Sequence, residues 1–433
     1  MRARTFLFII FLSTSCLTLS IPTAHSQTTS VTKNRVSAIL DKTLRNYKWF
    51  HQNPELSDGE KNTAKHLGDL LEQSGYKVFR NVGGHGLLGV LTAGKNPKKR
   101  IVLFRADMDA LPVTEQTGLP YSSKNTGVMH ACGHDVHMAS AVGALSILAQ
   151  MQNDWEGTII FVGQPSEELG KGANAMLKDA KFKKVIRKYG RPSVAFAIHD
   201  AADLEAGHIG VNSGFISANV DSVGIVLHGT GGHGAAPEAT VDPVVMGADL
   251  VMSLQTIVSR RVPAQDPAVI TVGKFASGRK HNIISDSAEL LITVRSYSDE
   301  TRKLLLDEIK RITLAIARAH RAPKKPTITT DDEFTPSGYN DPVWSKKLEQ
   351  RFVQVLGKRR IHEYPAMMGG EDFAQFSRKL KIPGVMWRVG GAAATYKGAR
   401  PGLHSPKWAP VPEPTLRAGV LTAVEGILLA LKS

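Results

Sequence analysis

The sequence predicts an α/β catalytic domain interrupted by a smaller α+β domain, and three observations carry that prediction. Short apolar strand runs alternate with helical periodicity through the first half of the chain, the pattern of a largely parallel sheet covered by helices. From about Asn219 the texture changes to partly alternating strands and two long amphipathic helices. Beyond the Pro- and Lys-rich stretch Pro323–Pro326 the chain reads as a return to the first unit and ends in a last helix.

Taken in order, residues 1–26 read as a signal peptide. Arg2 and Arg4 precede the apolar stretch Phe6–Leu19, which is too short and too interrupted by Ser and Thr to span a bilayer, and Ala24-His25-Ser26 fits a small-x-small cleavage site. This predicts an exported protein, periplasmic or secreted, that starts at Gln27. Lipidation at Cys16 is the weaker reading, because Ser13-Thr14-Ser15 lacks the apolar residue that would open such a motif. No later segment reads as apolar for long enough to span a membrane.

Residues 27–213 form the first part of the catalytic domain. Helical periodicity covers Val36–Phe50 and Lys61–Ser74, apolar runs mark strands at Ile101–Arg105, Thr158–Val162 and Ser193–Ile198, and the Ala-, Leu- and Val-rich Val136–Met151 reads as a buried helix. Residues 214–326 form the inserted domain, with strands at Val220–His228, Val269–Phe275 and Ala288–Arg295, helices at Pro243–Val258 and Thr301–His320, and a glycine-rich turn at Gly229–Gly234. Residues 327–433 complete the catalytic domain.

The formal charge of +15 is spread over short runs such as Lys95–Arg100 and Arg321–Lys325, without interleaved aromatics or a nucleic-acid motif. It predicts a solvated basic surface and no nucleic-acid partner, although anionic substrates can exploit such a field. Beyond the signal segment Cys132 is the one cysteine, so no intramolecular disulfide forms and the thiol needs burial or a metal to protect it.

Met129-His-Ala-Cys-Gly-His-Asp-Val-His137 packs three histidines, an aspartate and that cysteine into nine positions. Thiol, imidazole and carboxylate together are the ligand set of a borderline-soft metal such as zinc. Cys132 and His134, two apart, would point the same way in an extended segment. Further acids and imidazoles stand where strand runs finish: Asp107 and Asp109 after Ile101–Arg105, Glu167 and Glu168 after Thr158–Val162, and His199 at the end of Ser193–Ile198. Ligands of open α/β sheets bind outside the carboxyl ends of strands. His404 is a later candidate.

Arg105-Ala-Asp-Met-Asp-Ala-Leu-Pro112, the nonapeptide and Gln164-Pro-Ser-Glu-Glu168 resemble the M20 peptidase family, in particular its amidohydrolase branch of hippurate hydrolases, N-acyl amino acid amidohydrolases and auxin-conjugate hydrolases. The likeness continues at His51-Gln-Asn-Pro-Glu-Leu-Ser57, Gly231-Gly-His-Gly-Ala-Ala-Pro237, Val294-Arg-Ser296, Gly370-Glu-Asp-Phe373 and Leu403-His-Ser-Pro406. It implies a metal-dependent exopeptidase-like fold with an inserted lid or dimerisation domain, and a homodimer. It also implies two divalent metal ions (Zn, Mn, Ni or Co) on Cys132, His134, Glu168, His199 and His404, with Glu167 as general base for a metal-activated water. His233 would serve the oxyanion, Asn282 and Arg295 would bind substrate, and Asp107 and Asp135 would support ligands from behind. The implied reaction is hydrolysis of N-acyl or N-aroyl amino acids, or of dipeptides, without a stable membrane anchor. Two departures bear on specificity: Pro237 is followed by Glu238 where the family has His, and His199 is followed by Asp200 where an apolar residue is common.

Three rivals stand beside this reading. A metal-free cysteine amidase would use Cys132 as nucleophile and His134 as base, but leaves Glu167, Glu168 and His404 unexplained. A binding protein for anionic metabolites on the same fold has no use for a general base. A structural zinc site would close on four ligands and leave no free base.

Overall fold

A computed structural model describes residues 24–331, 333–395 and 399–432, with side chains from Val31 onward. The signal-peptide reading and the question of Cys16 fall on residues outside this range, except that Ala24-His25-Ser26 open the first helix.

The first unit contains α1 (Ala24–Gln52), α2 (Lys61–Gln73), β1 (Lys77–Arg80), β2 (Leu87–Ala93), β3 (Ile101–Asp107), α3 (His134–Gln150), β4 (Gly157–Gln164), α4 (Gly172–Lys178), α5 (Ala180–Tyr189), β5 (Val194–Glu205) and β6 (Ile209–Val211). Then come β7 (Gly214–Phe215), β8 (Asn219–His228), β9 (Gly232–His233), α6 (Pro243–Arg260), β10 (Ala268–Ser277), β11 (Ile283–Ile284), β12 (Ser287–Ser296), α7 (Asp299–Ala319) and β13 (Thr327–Thr330). The return holds β14 (Tyr339–Asn340), α8 (Pro342–Leu356), β15 (Ile361–Glu363), α9 (Ala374–Leu380), β16 (Gly384–Ala392) and α10 (Pro412–Lys432).

The large sheet has the order β1-β2-β4-β3-β5-β16-β6-β15. Its centre, β4-β3-β5-β16, is parallel, while β1 and β2 run antiparallel at one edge and β6 is antiparallel to β16 near the other. Every residue of β3 and β4 is buried, as expected of parallel strands covered on both faces. Val102 and Phe104 pack into the core under α1, α3 and α10, and Ile101 and Leu103 into the core on the opposite face. Trp387 on β16 sits in the first of these cores, 5.2 Å from the Phe352 ring and 5.9 Å from the Phe196 ring, and its indole N–H donates to Thr422 at 3.1 Å. The helix α10 is 21 residues long and apolar enough to cross a membrane by composition, contrary to the expectation that no later segment is. Its apolar surface is instead buried in this core.

The smaller sheet, β10-β12-β8-β13, is antiparallel. Alternate residues of β8 and β12 are buried, because one face alone is covered, by α6 and α7. One sequence boundary moves. The stretch Pro323–Pro326 is a turn inside this unit, since Thr327–Thr330 is the fourth strand of its sheet. At the other end β7 pairs with β14, so the outgoing and returning chains are tied together.

Candidate active site

The site assembles beyond the ends of β3 and β4, beside the middle of β5. His199 does not end its strand, which continues to Glu205. Nor are Cys132 and His134 aligned by an extended segment. Gly133 between them is left-handed (φ 79°) and caps α3, so the turn into the helix brings the two side chains to one place. A Cβ on Gly133 would collide with the Asp200 carboxylate, so only glycine fits there.

Two of the candidate imidazoles, His134 and His199, are held through Nδ1 and turn Nε2 to the cluster. His134 Nδ1 lies 2.7 Å from the Asp109 carbonyl oxygen and His199 Nδ1 lies 2.8 Å from the Asp200 carbonyl oxygen. A carbonyl only accepts, so both rings carry a proton on Nδ1, and Nε2 is the nitrogen turned to the cluster. His199 Nε2 is 3.7 Å and His404 Nε2 3.3 Å from Cys132 Sγ. Glu168 Oε1 is 3.8 Å from His134 Nε2 and 3.6 Å from His404 Nε2. His134 Nε2, Glu168 Oε1 and Asp109 Oδ1 are buried without a hydrogen-bond partner.

These separations and orphaned atoms fit a divalent metal. Two donors bound at 2.0–2.3 Å to one tetrahedral ion stand roughly 3.3–3.8 Å apart. Cys132, His134 and His199 form one such group, and Cys132, Glu168 and His404 another, so Cys132 is common to both.

Glu167 sits against this cluster, its Oε2 4.0 Å from His134 Nε2 and its side chain 10 % exposed. Its carboxylate makes no hydrogen bond to another described residue. Burial, then repulsion from Glu371 and Asp372, pushes its pKa up. The turn that aims the pair is strained: Ser166 has φ 50° and is held there by its amide donating to Glu60 and its hydroxyl donating to Asp58. His404 is also left-handed (φ 65°), with its amide donating to the Ala131 carbonyl at 2.8 Å.

The supporting residues differ from expectation. Asp107 accepts from His137 Nδ1 at 2.6 Å, and its other oxygen lies 3.6 Å from His134 Nε2. Asp135 faces away from the cluster: it bonds His51 at 2.6 Å and accepts from the Val136 amide. The residue that positions the ligands is Asp109, whose carbonyl holds His134 and whose carboxylate accepts from the Glu168 amide at 3.0 Å. Behind it lies Arg105, fully buried, with Asp107 at 2.6 Å, Glu371 at 2.9 Å and Asp372 at 3.2 Å, and with Nε donating to Gln164. Sequence reading singled out neither role, although the Asp-x-Asp spacing and the Gly370-Glu-Asp-Phe373 motif were the available signals.

A cavity of about 480 Å³ opens over the cluster, lined by Cys132, Glu167, Glu168, His199 and His404. Arg295 of the inserted domain and Arg388 of β16 also line it. His233 and Asn282 are not among its lining residues. They lie together at the two-stranded β9–β11 pair, where the Gly234 amide donates to the Asn282 carbonyl. Glu238 is exposed in a short 3-10 turn after β9. A larger groove of about 630 Å³, between α1 and α10, holds none of the candidate ligands.

The profile of Peptidase family M20/M25/M40 matches residues 103–411. The chain belongs to this family. It is 41 % identical to the hippurate hydrolase of Campylobacter jejuni over 77 % of this chain and 84 % of that one. It is 33 % identical to thermostable carboxypeptidase 1 of Saccharolobus solfataricus over 92 % and 97 %. Among solved structures, the YXEP protein of Bacillus subtilis, a dinuclear metal binding peptidase of the M20 family, superposes with a TM-score of 0.75 at 28 % identity, covering 91 % of this chain and 99 % of that one. The chain is thus a hydrolase of the amidohydrolase and peptidase type.

Proposed function

We propose that the protein is a dinuclear metal amidohydrolase that cleaves N-acyl or N-aroyl amino acids, and dipeptides of similar shape, to an acid and an amino acid. The observation that carries this is the joint placement of five candidate donor side chains beside an unbonded carboxylate, Glu167, which shares one cavity with four of them, while His134 lies buried behind. Cys132, His134, Glu168, His199 and His404 would hold the two ions. Bound there, the ions supply Lewis-acid polarisation of the amide carbonyl and acidify water. Glu167 takes the proton of the attacking water and returns it to the leaving amine, a role open to it because no neighbour occupies its oxygens. Arg295, whose Nε alone is bonded, to Thr293 at 3.1 Å, turns its remaining donors toward the substrate carboxylate.

His233 and Asn282 keep their proposed substrate roles through a second copy of the chain. In support, the inserted domain exposes Val245, Met252 and Ile283, with Met252 70 % exposed, and β10 is an open sheet edge. Export with removal of residues 1–26 remains part of the proposal, resting on the n-region and cleavage-site pattern. N-terminal sequencing of the protein from fractionated cells tests it.

Burial pushes the Cys132 thiol pKa up, the reverse of what an activated nucleophile needs. The decisive experiment follows amine release from benzoyl- and acetyl-amino acids with chelator, with metals restored, and in Glu167→Gln. Activity lost to chelator, regained with metal, and absent in a metal-loaded Glu167→Gln protein is expected. Turnover indifferent to chelator would move the chemistry to Cys132. No turnover with two metals bound would favour a binding protein.

A further inference from the structure

Arg388 is a cation with no internal counterpart. It lies on β16 directly beside His199 in the parallel register and is only 8 % exposed. Yet its guanidinium makes no hydrogen bond or ion pair with any described residue and lies 5.7 Å from the Tyr364 ring. Asp200 neighbours it in the same strand register, but that carboxylate is turned against Gly133 and His137 and does not line the cavity. Asp203 is bonded by the Tyr364 hydroxyl at 2.7 Å. A guanidinium taken out of water without an anion is costly, and here it opens onto the cavity that holds the candidate ligands.

We infer that Arg388 binds a second carboxylate of the substrate, so that the preferred substrates are N-acyl amino acids carrying two carboxylates. This rests on the amidohydrolase reading and narrows it. Arg295 approaches the cavity from the inserted domain, with Nη1 3.7 Å from the Cβ position of Gly370. Arg388 approaches from the floor of the catalytic sheet beside His199. A ligand with one anion satisfies one of these guanidinium groups, and a ligand with two anions can satisfy both. The second carboxylate has two chemical sources, the amino-acid side chain or the acyl chain.

The test measures kcat/KM in the metal-loaded enzyme for two matched pairs, benzoylglutamate against benzoylglutamine and succinylglycine against butyrylglycine, in wild type, Arg388→Met and Arg388→Lys. Ratios within one protein do not depend on how much of it is folded. One pair is expected to favour the diacid in wild type, which names the source. That ratio should fall about 10- to 100-fold in Arg388→Met, the loss expected for a charge-assisted contact, and recover in part in Arg388→Lys. A wild-type ratio near one for both pairs overturns the inference, as does a ratio unchanged in Arg388→Met because all substrates lose equally. If neither variant can be purified, the wild-type ratio alone decides. Turnover of the monocarboxylate partners without diacid preference leaves the amidohydrolase intact, whereas no turnover of any of the four removes both.

Discussion

His51 provides a charge switch that can be read without any substrate. Its ring is buried between two carboxylates, with Nδ1 2.6 Å from Asp135 and Nε2 3.2 Å from Glu115, and with the Tyr47 and Tyr121 rings 5.7 Å and 5.5 Å away. Burial alone would lower its pKa, but the bonds to Asp135 and Glu115 outweigh it and raise the value to about 9. Because the folded value lies above the unfolded 6.5, the stabilisation is fully present below pH 6.5, fades as pH rises, and is gone above about 9. A rise from 6.5 to about 9 corresponds to roughly 3 kcal/mol. Glu115, held down to about 2 against its own burial, reports the same contact from the other side and is not added to it. Urea unfolding of wild type and His51→Gln at equal metal content should show wild type ahead at pH 6. That lead should shrink by roughly 3 kcal/mol by pH 10, a midpoint change on the order of 1 M. The comparison cancels the Tyr and Lys titrations common to both proteins. A lead that stays constant or widens from pH 6 to pH 10 would refute the buried imidazolium.

Other perturbations follow from the same geometry. Arg105→Met strands Asp107, Glu371 and Asp372 without their cation and should cost about 3–5 kcal/mol in urea unfolding; a loss below about 1 kcal/mol would contradict the network. Gly133→Ala forces a side chain into the Asp200 carboxylate at a left-handed position. Elemental analysis should therefore find reduced metal content, and retention of two ions would oppose that account. Cys132, whose sulfur faces His199 and His404, should be alkylated faster after chelation than in metal-loaded protein. Met252→Asp, on the exposed apolar face of α6, should shift sedimentation from dimer to monomer and lower activity with it.

Much of the fold is legible because the sheet centre is buried on both faces. Ile101–Arg105 and Thr158–Val162 read as strand runs for that reason, inside the slightly longer β3 and β4. The candidate ligands are legible because soft and borderline donors at close spacing have few other uses. What escaped detection has physical reasons too. The support of His134 comes from a backbone carbonyl, which any residue at 109 would supply. The partners of Arg105 lie 266 and 267 residues away, beyond any local pattern. Thr327–Thr330 is a polar edge strand with little apolar signal. Arg388 interrupts an otherwise apolar buried strand, which reads as a defect until the cavity beside it is seen.

The supporting network also explains how the chain keeps the His199 ring aimed at the cluster. The Asp200 amide donates to His137 Nε2 at 2.9 Å, so His137 must carry its proton on Nδ1, where it meets Asp107 at 2.6 Å. Asp107 is in turn fixed by Arg105. The chain of contacts thus runs Arg105–Asp107–His137–Asp200–His199, and ends at the Asp200 carbonyl that turns the His199 lone pair toward Cys132. Asp200, the residue that departs from the family pattern, therefore works through its backbone on His199 and through its side chain on the Gly133 turn. Its influence reaches the candidate ligands from behind, while Arg295 and Arg388 line the cavity in front. Replacing Asp200 should consequently change metal retention before it changes the ratio between substrates, whereas replacing Arg388 should do the reverse.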